Sequence, residues 1–266
     1  MTEQEYRDCE GVRRSELWLL NPENGGSPEK YKWFKEHPEP ETPALLFGRV
    51  VHKLLLEHQD FFSEFCITPR VDRRTREGRE KYAEFEAAVD GRTQISGDMY
   101  RQALEMTMKA IEEPFVNTLI AGRHEVPITW TDEETGVKCK ARLDCLTEID
   151  GQLYVVDYKT TTSAHLGSFS NSAFKYGYHF QAAMYLDGVK AVTGRDAKFF
   201  FIAQEKDEPY AVCVYAADDE FIHSGEDKFR ELIGIYRECE ASGNWYGYMG
   251  AEPAVLTLQL PAWAVK

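Results

Sequence analysis

The sequence predicts a mixed α/β (α+β) fold, in which a mainly helical N-terminal part precedes a central mixed β-sheet flanked by helices. Apolar residues recur at helical spacing first, alternate along short segments in the middle of the chain, and follow both patterns towards the end. With 266 residues, of which 43% are hydrophobic, the chain can bury a sizeable core. We therefore expect a single domain over residues 1–266, helical over 1–120 and containing the sheet over 121–266.

The predicted helices of the N-terminal part are bounded by helix-breaking residues. A first helix covers residues 6–20 and ends at Asn21-Pro22, which begins a loop. The second covers residues 44–58, after the proline-rich segment HPEPETP, and carries its apolar residues on one face. Two further helices are predicted over residues 77–89 and 97–119.

The middle of the chain predicts strands, and the end predicts a mixture of strands and helices. Strands are expected over residues 125–131, 137–147 and 153–160. A helix over 178–192, strands over 197–204 and 210–215, and a long helix over 218–239 follow. Between the second and third strands lies Asp150-Gly151, a dipeptide typical of a two-residue hairpin turn.

This Asp-Gly turn determines which residues of its two strands face each other. With a two-residue loop, Ile149 faces Gln152, and continuing that register places Asp144 directly opposite Asp157. Directly opposed Cβ atoms lie about 4.5–5.5 Å apart, so two carboxylates there repel each other unless a cation lies between them. A register slip of one residue would move Asp144 to the other face and remove this prediction.

The segment YVVDYKTT places Lys159 on the same face of its strand as Asp157, because strand side chains alternate. Hard divalent cations such as Mg²⁺ and Mn²⁺ prefer such oxygen-rich sites. A protonated lysine is not a metal ligand, but it can orient or deprotonate a water and offset charge on a phosphoryl transition state. The alternative is that the aspartates face solvent and that Arg142 or Lys159 pairs with one of them.

Two predicted helices carry further candidate residues. In FGRVVHKLLLEH, His52 lies one helical turn after Gly48, and in YGYHFQAAMYLDGV, Gln181 and Tyr185 share one face. Each segment also has a purely structural interpretation, as a core histidine and as an ordinary amphipathic helix.

The ordered set Gly-x-x-x-His, Asp, Asp-x-Lys and Gln-x-x-x-Tyr resembles the PD-(D/E)xK nuclease superfamily, in particular its RecB-like branch and the RecE-type (exodeoxyribonuclease VIII) exonucleases of phages and prophages. Most of the chain takes part in the resemblance, through FGRVVHKLLLE, PRVDRRTREG, CKARLDCLTEIDGQLYVVDYKTT and KYGYHFQAAMYLDGV. Members of the superfamily often carry glutamate where this chain has Asp157, and RecE-type proteins use aspartate there. The resemblance implies a restriction-endonuclease-like core.

The resemblance also implies roles for these residues. The implied ligands of Mg²⁺, with Mn²⁺ as a substitute, are His52, Asp144, Asp157 and, through its carbonyl, Tyr158. Lys159 would position the nucleophilic water, and Gln181 and Tyr185 would support the site or the DNA strand at its edge. The implied activity is 5′-to-3′ digestion of double-stranded DNA from its ends, which leaves single strands for an annealing protein.

The net charge of −14 argues against a protein coated in basic residues for non-specific nucleic-acid binding. A ring-shaped homo-oligomer could still line a channel with a few cations and leave its exterior negative. The candidates for that lining lie in PRVDRRTREGREK and are Arg70, Arg73, Arg74, Arg76 and Arg79. The alternative is that this basic run is a solvated face.

Two other functions stay open at this stage. One is a structure-specific endonuclease or a nuclease of CRISPR adaptation, although the latter usually holds an iron–sulfur cluster for which the cysteine spacing here is unsuited. The other is a catalytically silent DNA-binding or assembly module on the same fold. The six cysteines are expected to be reduced thiols, and the sequence shows neither a leader nor a membrane span, so we expect a cytoplasmic protein.

Overall fold

The computed structural model describes residues 3–260, and its N-terminal part is mainly helical, as predicted. Side-chain caps begin several of these helices, since Ser27, Thr42, Thr75 and Ser96 each accept a backbone N–H of the first turn. The helices of this part are α1 (Glu3–Asp8), α2 (Arg14–Leu17), α3 (Pro28–Glu36), α4 (Pro43–Leu56), α5 (Phe61–Glu64), α6 (Arg76–Ala88), α7 (Gly97–Glu112) and α8 (Pro114–Leu119).

A five-stranded mixed sheet forms the centre of the molecule and confirms the predicted fold class. Its strands, in spatial order, are β3 (Arg123–Thr131), β4 (Lys138–Ile149), β5 (Gln152–Thr161), β6 (Ala197–Glu205) and β7 (Val212–Ala216). Neighbouring strands are antiparallel except β5 and β6, which are parallel. The crossover between these two consists of α9 (Leu166–Lys175) and α10 (Tyr178–Thr193), and α11 (Asp219–Ser242) follows β7.

Each face of the sheet is covered by its own hydrophobic core. On one face, Val155 of β5 packs with Phe180 of α10 and Phe229 of α11. On the other face, Val156 packs with Val51 of α4, in a cluster that includes α7 and α8. Side chains alternate along β5, so Asp157 and Lys159, two and four residues after Val155, lie on the same face as Val155. This is the face that α10 covers.

The predicted hairpin is confirmed. Asp150 and Gly151 have φ values of 50° and 81°, as a type I′ turn requires, and Ile149 pairs with Gln152. The β4–β5 ladder runs from this pair to Cys145 opposite Val156 and ends there. Asp144 and Asp157 are therefore the next residues of the same register, at the point where the two strands separate.

The predicted helix over residues 6–20 is wrong, because it is two short helices and a 3₁₀ turn with an extended link between them. Gly11 has φ 142°, which helix residues cannot adopt, and Val12 forms a parallel bridge to Cys139. The Val12 N–H donates to the Lys138 carbonyl at 2.9 Å, and the Lys140 N–H donates to the Val12 carbonyl at 3.0 Å. Strand β3 pairs with the other edge of β4. The N-terminal segment therefore lies along the edge of β4 that β5 occupies farther along the strand.

Other elements also differ from the prediction. The helix expected over residues 97–119 is divided at Pro114, whose missing N–H and fixed φ suit the first turn of a new helix. Helices α3 and α9 were not predicted. Neither were β1 (Phe65–Thr68) and β2 (Thr93–Ser96), a separate parallel pair formed across the intervening α6.

Gly225 of α11 allows this helix to pack closely against α10. A Cβ built at this position would lie 2.1 Å from the His179 carbonyl oxygen, which is backbone and has little room to move. We expect Gly225→Ala to destabilise the protein by roughly 1–3 kcal/mol, measured by denaturant unfolding. The control is Gly234→Ala in the same helix, where a Cβ meets nothing within 4 Å and is expected to stabilise the helix by about 0.5–1 kcal/mol. If both substitutions changed the free energy of unfolding in the same direction, this packing would be contradicted.

All six cysteines are free thiols, in line with the expectation from the sequence. In the part of the chain that the structure describes, no helix has both the length and the apolar character needed to cross a bilayer.

Candidate active site

Three acidic residues lie opposite one another on the three strands β3, β4 and β5. The β3–β4 register pairs His124 with Cys145 and Val126 with Leu143, so Glu125 lies opposite Asp144. The hairpin register in turn places Asp144 opposite Asp157. Glu125, Asp144 and Asp157 thus form one row across the sheet, which we call the acidic row.

The alternation of β4 is interrupted next to Asp144. Leu143 belongs to the core on the α10 face, whereas Cys145, two residues later, belongs to the core on the α4 face. Glu125 has φ 49°, a left-handed conformation that is uncommon for residues other than glycine. The acidic row therefore lies where the regular backbone pairing of β4 is broken on both sides.

His52 of α4 contacts two members of the acidic row. Its Nε2 lies 3.0 Å from Asp144 Oδ2, and its Nδ1 lies 3.1 Å from Glu125 Oε1. Asp144 Oδ2 also accepts a hydrogen bond from the Tyr158 backbone N–H at 2.9 Å. The packing of α4 on the sheet thus brings a histidine and two carboxylates within reach of one ion.

Asp157 is held by two residues that the sequence also identified. Its Oδ1 accepts a hydrogen bond from Gln181 Nε2, and its Oδ2 lies 2.5 Å from Lys159 Nζ. The Asp157 side chain is 2% exposed, so these contacts are shielded from water. The prediction that Asp157 and Lys159 share a face is confirmed.

The electrostatics of the site separate the two aspartates. Burial raises the pKa of Asp157 to about 6, although Lys159 opposes the shift. Burial acts in the same direction on Asp144, but the adjacent His52 imidazolium outweighs it and lowers the pKa of Asp144 to about 2. Burial likewise disfavours the charged form of His52, and the carboxylates of Asp144 and Glu125 outweigh it and raise the pKa of His52 to about 9. Asp144 is therefore the more firmly ionised of the two aspartates.

These residues fit a divalent cation. Octahedral Mg²⁺ binds oxygen ligands at about 2.0–2.1 Å, so adjacent ligand atoms lie about 3 Å apart. His52 Nε2 and Asp144 Oδ2 already have this spacing. In addition, Glu125 Oε1 and Asp157 Oδ2 are buried oxygens that each face a cationic group, His52 Nδ1 at 3.1 Å and Lys159 Nζ at 2.5 Å, so both lie where the site favours positive charge.

A family assignment agrees with this geometry. Residues 27–252 match the model of a family described as "PDDEXK-like domain of unknown function (DUF3799)". The chain belongs to this family. The resemblance to the PD-(D/E)xK nuclease superfamily, inferred from the motifs, is thereby confirmed.

One solved structure shows the same fold as this PDDEXK-like chain. A crystal structure from Eubacterium rectale, described as a putative exonuclease, aligns with a TM-score of 0.62 and 17% sequence identity. The alignment covers 98% of this chain and 96% of that one. The crystal structure of SSO0001 aligns with a TM-score of 0.31 and 17% identity over 69% of this chain and 84% of that one. None of the curated proteins matches the chain.

A cavity of about 500 Å³ brings most of the predicted site residues of the PDDEXK-like chain together. Those that line it are Asp144, Asp157, Lys159, Gln181 and Tyr185. His52 is not part of this lining, but it contacts Asp144, which is. Burial raises the pKa of the partly buried Tyr185 phenol, so it stays protonated at neutral pH.

The same cavity has basic residues that sequence reasoning did not select. They are Arg7, Arg13, Arg14, Lys140 and Arg142. Lys140 is buried and donates to the carbonyls of Tyr6, Arg7 and Cys9, which fastens the N-terminal segment beside β4. We call these five residues the basic wall of the cavity. No sequence signal predicts the basic wall, because it depends on where the N-terminal segment packs.

The arginine run predicted to bind DNA lies outside the cavity lining. Arg76 pairs with Glu80 at 2.8 Å, Arg79 donates to the Arg74 carbonyl, and Arg73 lies over the Tyr82 ring. Arg70, Arg73, Arg74, Arg76 and Arg79 are all exposed or nearly so. Their role in DNA binding stays a prediction.

Proposed function

We propose that this chain is a Mg²⁺-dependent deoxyribonuclease that hydrolyses double-stranded DNA from its ends, with 5′-to-3′ polarity. The observation that carries the proposal is the meeting of His52, Asp144, Asp157 and Lys159 at one break in the sheet. A hard-cation donor set next to an ammonium group suits in-line hydrolysis of a phosphodiester. The family assignment supports the same reaction class.

The residues that would hold Mg²⁺ are His52, Asp144, Asp157 and the Tyr158 carbonyl, and Mn²⁺ would substitute for it. Bound there, the ion supplies Lewis-acid stabilisation of the charge that develops on the phosphoryl oxygens. Gln181 orients the Asp157 carboxylate through its hydrogen bond to Oδ1.

Lys159 acts as a hydrogen-bond donor in this proposal. Burial alone would lower the pKa of its ammonium group, but Asp157 and Asp144 outweigh burial and raise that pKa. A lysine held in its charged form orients the attacking water and offsets negative charge at the phosphate, rather than removing a proton.

The cavity also supports binding of a polyanion by an acidic protein. Its basic lining surrounds the two aspartates, although the whole chain carries a net charge of −14. Arg13 pairs with Glu16 at 3.1 Å, and its side chain, 54% exposed, is open to a phosphate that enters from solvent. A few such contacts are enough to hold a DNA strand, because each phosphate contact releases counterions.

Digestion of linear duplex DNA labelled at either end, with Mg²⁺ and with EDTA, tests this function. We expect Mg²⁺-dependent release of nucleotides from the 5′ ends and none in EDTA. Cleavage of a circular plasmid would favour a structure-specific endonuclease instead. DNA binding without cleavage of any substrate would favour a silent binding module.

The proposal extends to the assembly in which the enzyme works. A homo-oligomeric ring would thread the duplex, and a single-strand annealing protein would receive the product strand in phage-type recombination. Sedimentation of the protein with and without DNA tests the ring.

Neutralising Arg74, Arg76 and Arg79 together is expected to weaken DNA binding if the arginine run lies along the duplex. The slope of log K against log salt concentration should then fall by about 0.9 for each phosphate that the variant no longer neutralises. Fluorescence anisotropy at several salt concentrations measures both changes. A triple substitution of Lys190, Arg195 and Lys198, near the amino-terminal ends of β5 and β6, is the control. If the two triple variants changed DNA affinity and its salt dependence equally, the interpretation of the arginine run as a solvated face would be favoured.

A further inference from the structure

Two exposed aromatic residues lie at the junction of α9 and α10. Phe174, in the last turn of α9, is 64% exposed, and Tyr176, which ends that helix, is 51% exposed. Neighbouring exposed rings form a surface patch of the kind that marks an interaction site. We call Phe174 and Tyr176 the aromatic corner.

The backbone of the aromatic corner is fastened to the active-site cavity. Arg14 of the basic wall donates a hydrogen bond to the Tyr176 carbonyl. The next residue, Gly177, has φ 68°, and a Cβ built there would lie 2.6 Å from the Trp18 ring. Both the positive φ and the close approach of Trp18 require glycine at this position. The corner therefore has a fixed place relative to the cavity.

The two rings are held in position and lie close to Lys159. Phe174 stacks on the buried His179 with ring centroids 5.2 Å apart and an interplanar angle of 15°. The centroid of the Tyr176 ring lies 6.1 Å from that of Tyr178, and Lys159 Nζ lies 5.0 Å from the Tyr178 centroid. A single ring thus separates Tyr176 from the ammonium group proposed to face the phosphate.

The charges around the aromatic corner indicate what would cover it. Lys175 Nζ lies 5.6 Å from the centroid of the Tyr176 ring, and Arg14 lies between this corner and the cavity. An apolar protein surface would leave these cations without a partner. A nucleic-acid strand has a base to stack on each ring and a phosphate for each cation. The patch is also continuous with the cavity in which the phosphate would be cleaved.

We propose that the aromatic corner stacks unpaired nucleobases of the DNA strand whose phosphate enters the cavity. This inference rests on the proposed nuclease function and deepens it, because it names the form of DNA that the site holds. A base presents its face to a ring only after it leaves the base-pair stack of the duplex. A duplex end therefore opens beside Phe174 and Tyr176 before the strand is cleaved.

Fluorescence anisotropy of the full chain in EDTA tests the proposal without measuring cleavage. The two probes are a labelled oligothymidylate of about 12 nucleotides and an abasic oligonucleotide of the same length, which has the same phosphates but no bases. We expect the double variant Phe174→Ala, Tyr176→Ala to bind oligothymidylate at least about tenfold more weakly than wild type and the abasic probe equally well. Equal affinity of wild type for the two probes would overturn the proposal and favour a protein partner for this surface. An equal loss on both probes in the variant would also overturn it.

Two further variants separate base stacking from a general effect on the protein. Phe174→Tyr combined with Tyr176→Phe keeps both rings and is expected to bind both probes as wild type does. Phe115→Ala removes a ring that is 59% exposed on α8, on the face of the sheet that α4 covers, and should leave binding unchanged. If Phe115→Ala weakened oligothymidylate binding as much as the double alanine variant does, the proposal would be wrong.

Failure of this proposal can be distinguished from failure of the nuclease function. Base-dependent binding that the double alanine variant loses, in a protein that cleaves no DNA, would refute the nuclease function and support the stacking role. Cleavage of linear duplex DNA by wild type, combined with unchanged oligothymidylate binding by the double alanine variant, would do the reverse.

Discussion

Asp157→Asn is expected to lower the rate of DNA hydrolysis by at least about 10³-fold, the largest effect of any single substitution considered. The amide has almost the shape of the carboxylate and keeps an oxygen that Gln181 Nε2 can contact. It lacks the negative charge that holds a cation and pairs with Lys159. Steady-state digestion of labelled duplex with Mg²⁺ measures the rate, and calorimetry with Mn²⁺ should show weaker binding.

The matched control for this variant is Asp196→Asn, at a surface aspartate whose side chain is 88% exposed and pairs with Lys190. It removes the same charge from the protein and should leave the rate unchanged. Robust cleavage by Asp157→Asn in Mg²⁺ would refute the assigned role of Asp157.

Lys159→Met is expected to reduce kcat by about 10²–10³-fold while leaving Mn²⁺ affinity intact or slightly increased. Methionine fills the same apolar volume beside Tyr178 but carries no charge. Because an ammonium group is not a metal ligand, its loss removes a repulsive charge from the ion's surroundings. Metal affinity and turnover therefore separate in this variant, whereas both fall in Asp157→Asn.

Lys198→Met on β6 provides the control for this prediction, since Lys198 is an exposed strand residue near the other end of the sheet. A parallel loss of Mn²⁺ affinity and turnover in Lys159→Met would instead indicate that Lys159 acts only by holding Asp157 in place.

The N-terminal segment explains how an acidic chain surrounds its site with positive charge. Where β4 and β5 separate, Val12 takes the place of β5 beside β4, and Lys140 anchors the carbonyls at the end of α1. Arg13 and Arg14 are thereby carried to the cavity that holds Asp144 and Asp157. The break in the sheet thus creates both the space for the acidic residues and the attachment point for the basic wall.

The central part of the site could be predicted because it depends on one turn. Positive φ at Asp150 and Gly151 sets the register, and the register alone places Asp144 opposite Asp157 and Lys159 beside it. The β4–β5 pairing is regular from the turn to Cys145, and the change of face in β4 lies between Leu143 and Cys145, at the end of the segment on which the prediction depends.

His52 and Gln181 came from motif resemblance, and their contacts to Asp144 and Asp157 required the packing of α4 and α10 on the sheet. Glu125 had no signal in the sequence, since a glutamate at the start of a predicted strand is unremarkable until the neighbouring strand is in place. The division of the first helix was also hidden, although Gly11 marks the residue at which it occurs.

The sequence by itself determined the mixed fold, the hairpin register and the aspartate–lysine pair within it, because these follow from hydrogen bonds and side-chain alternation over a few neighbouring residues. Only the tertiary structure decided that Glu125, His52 and the basic N-terminal segment meet there. Those contacts join residues far apart in the chain, and they form only when whole helices and strands bury their apolar faces against one another.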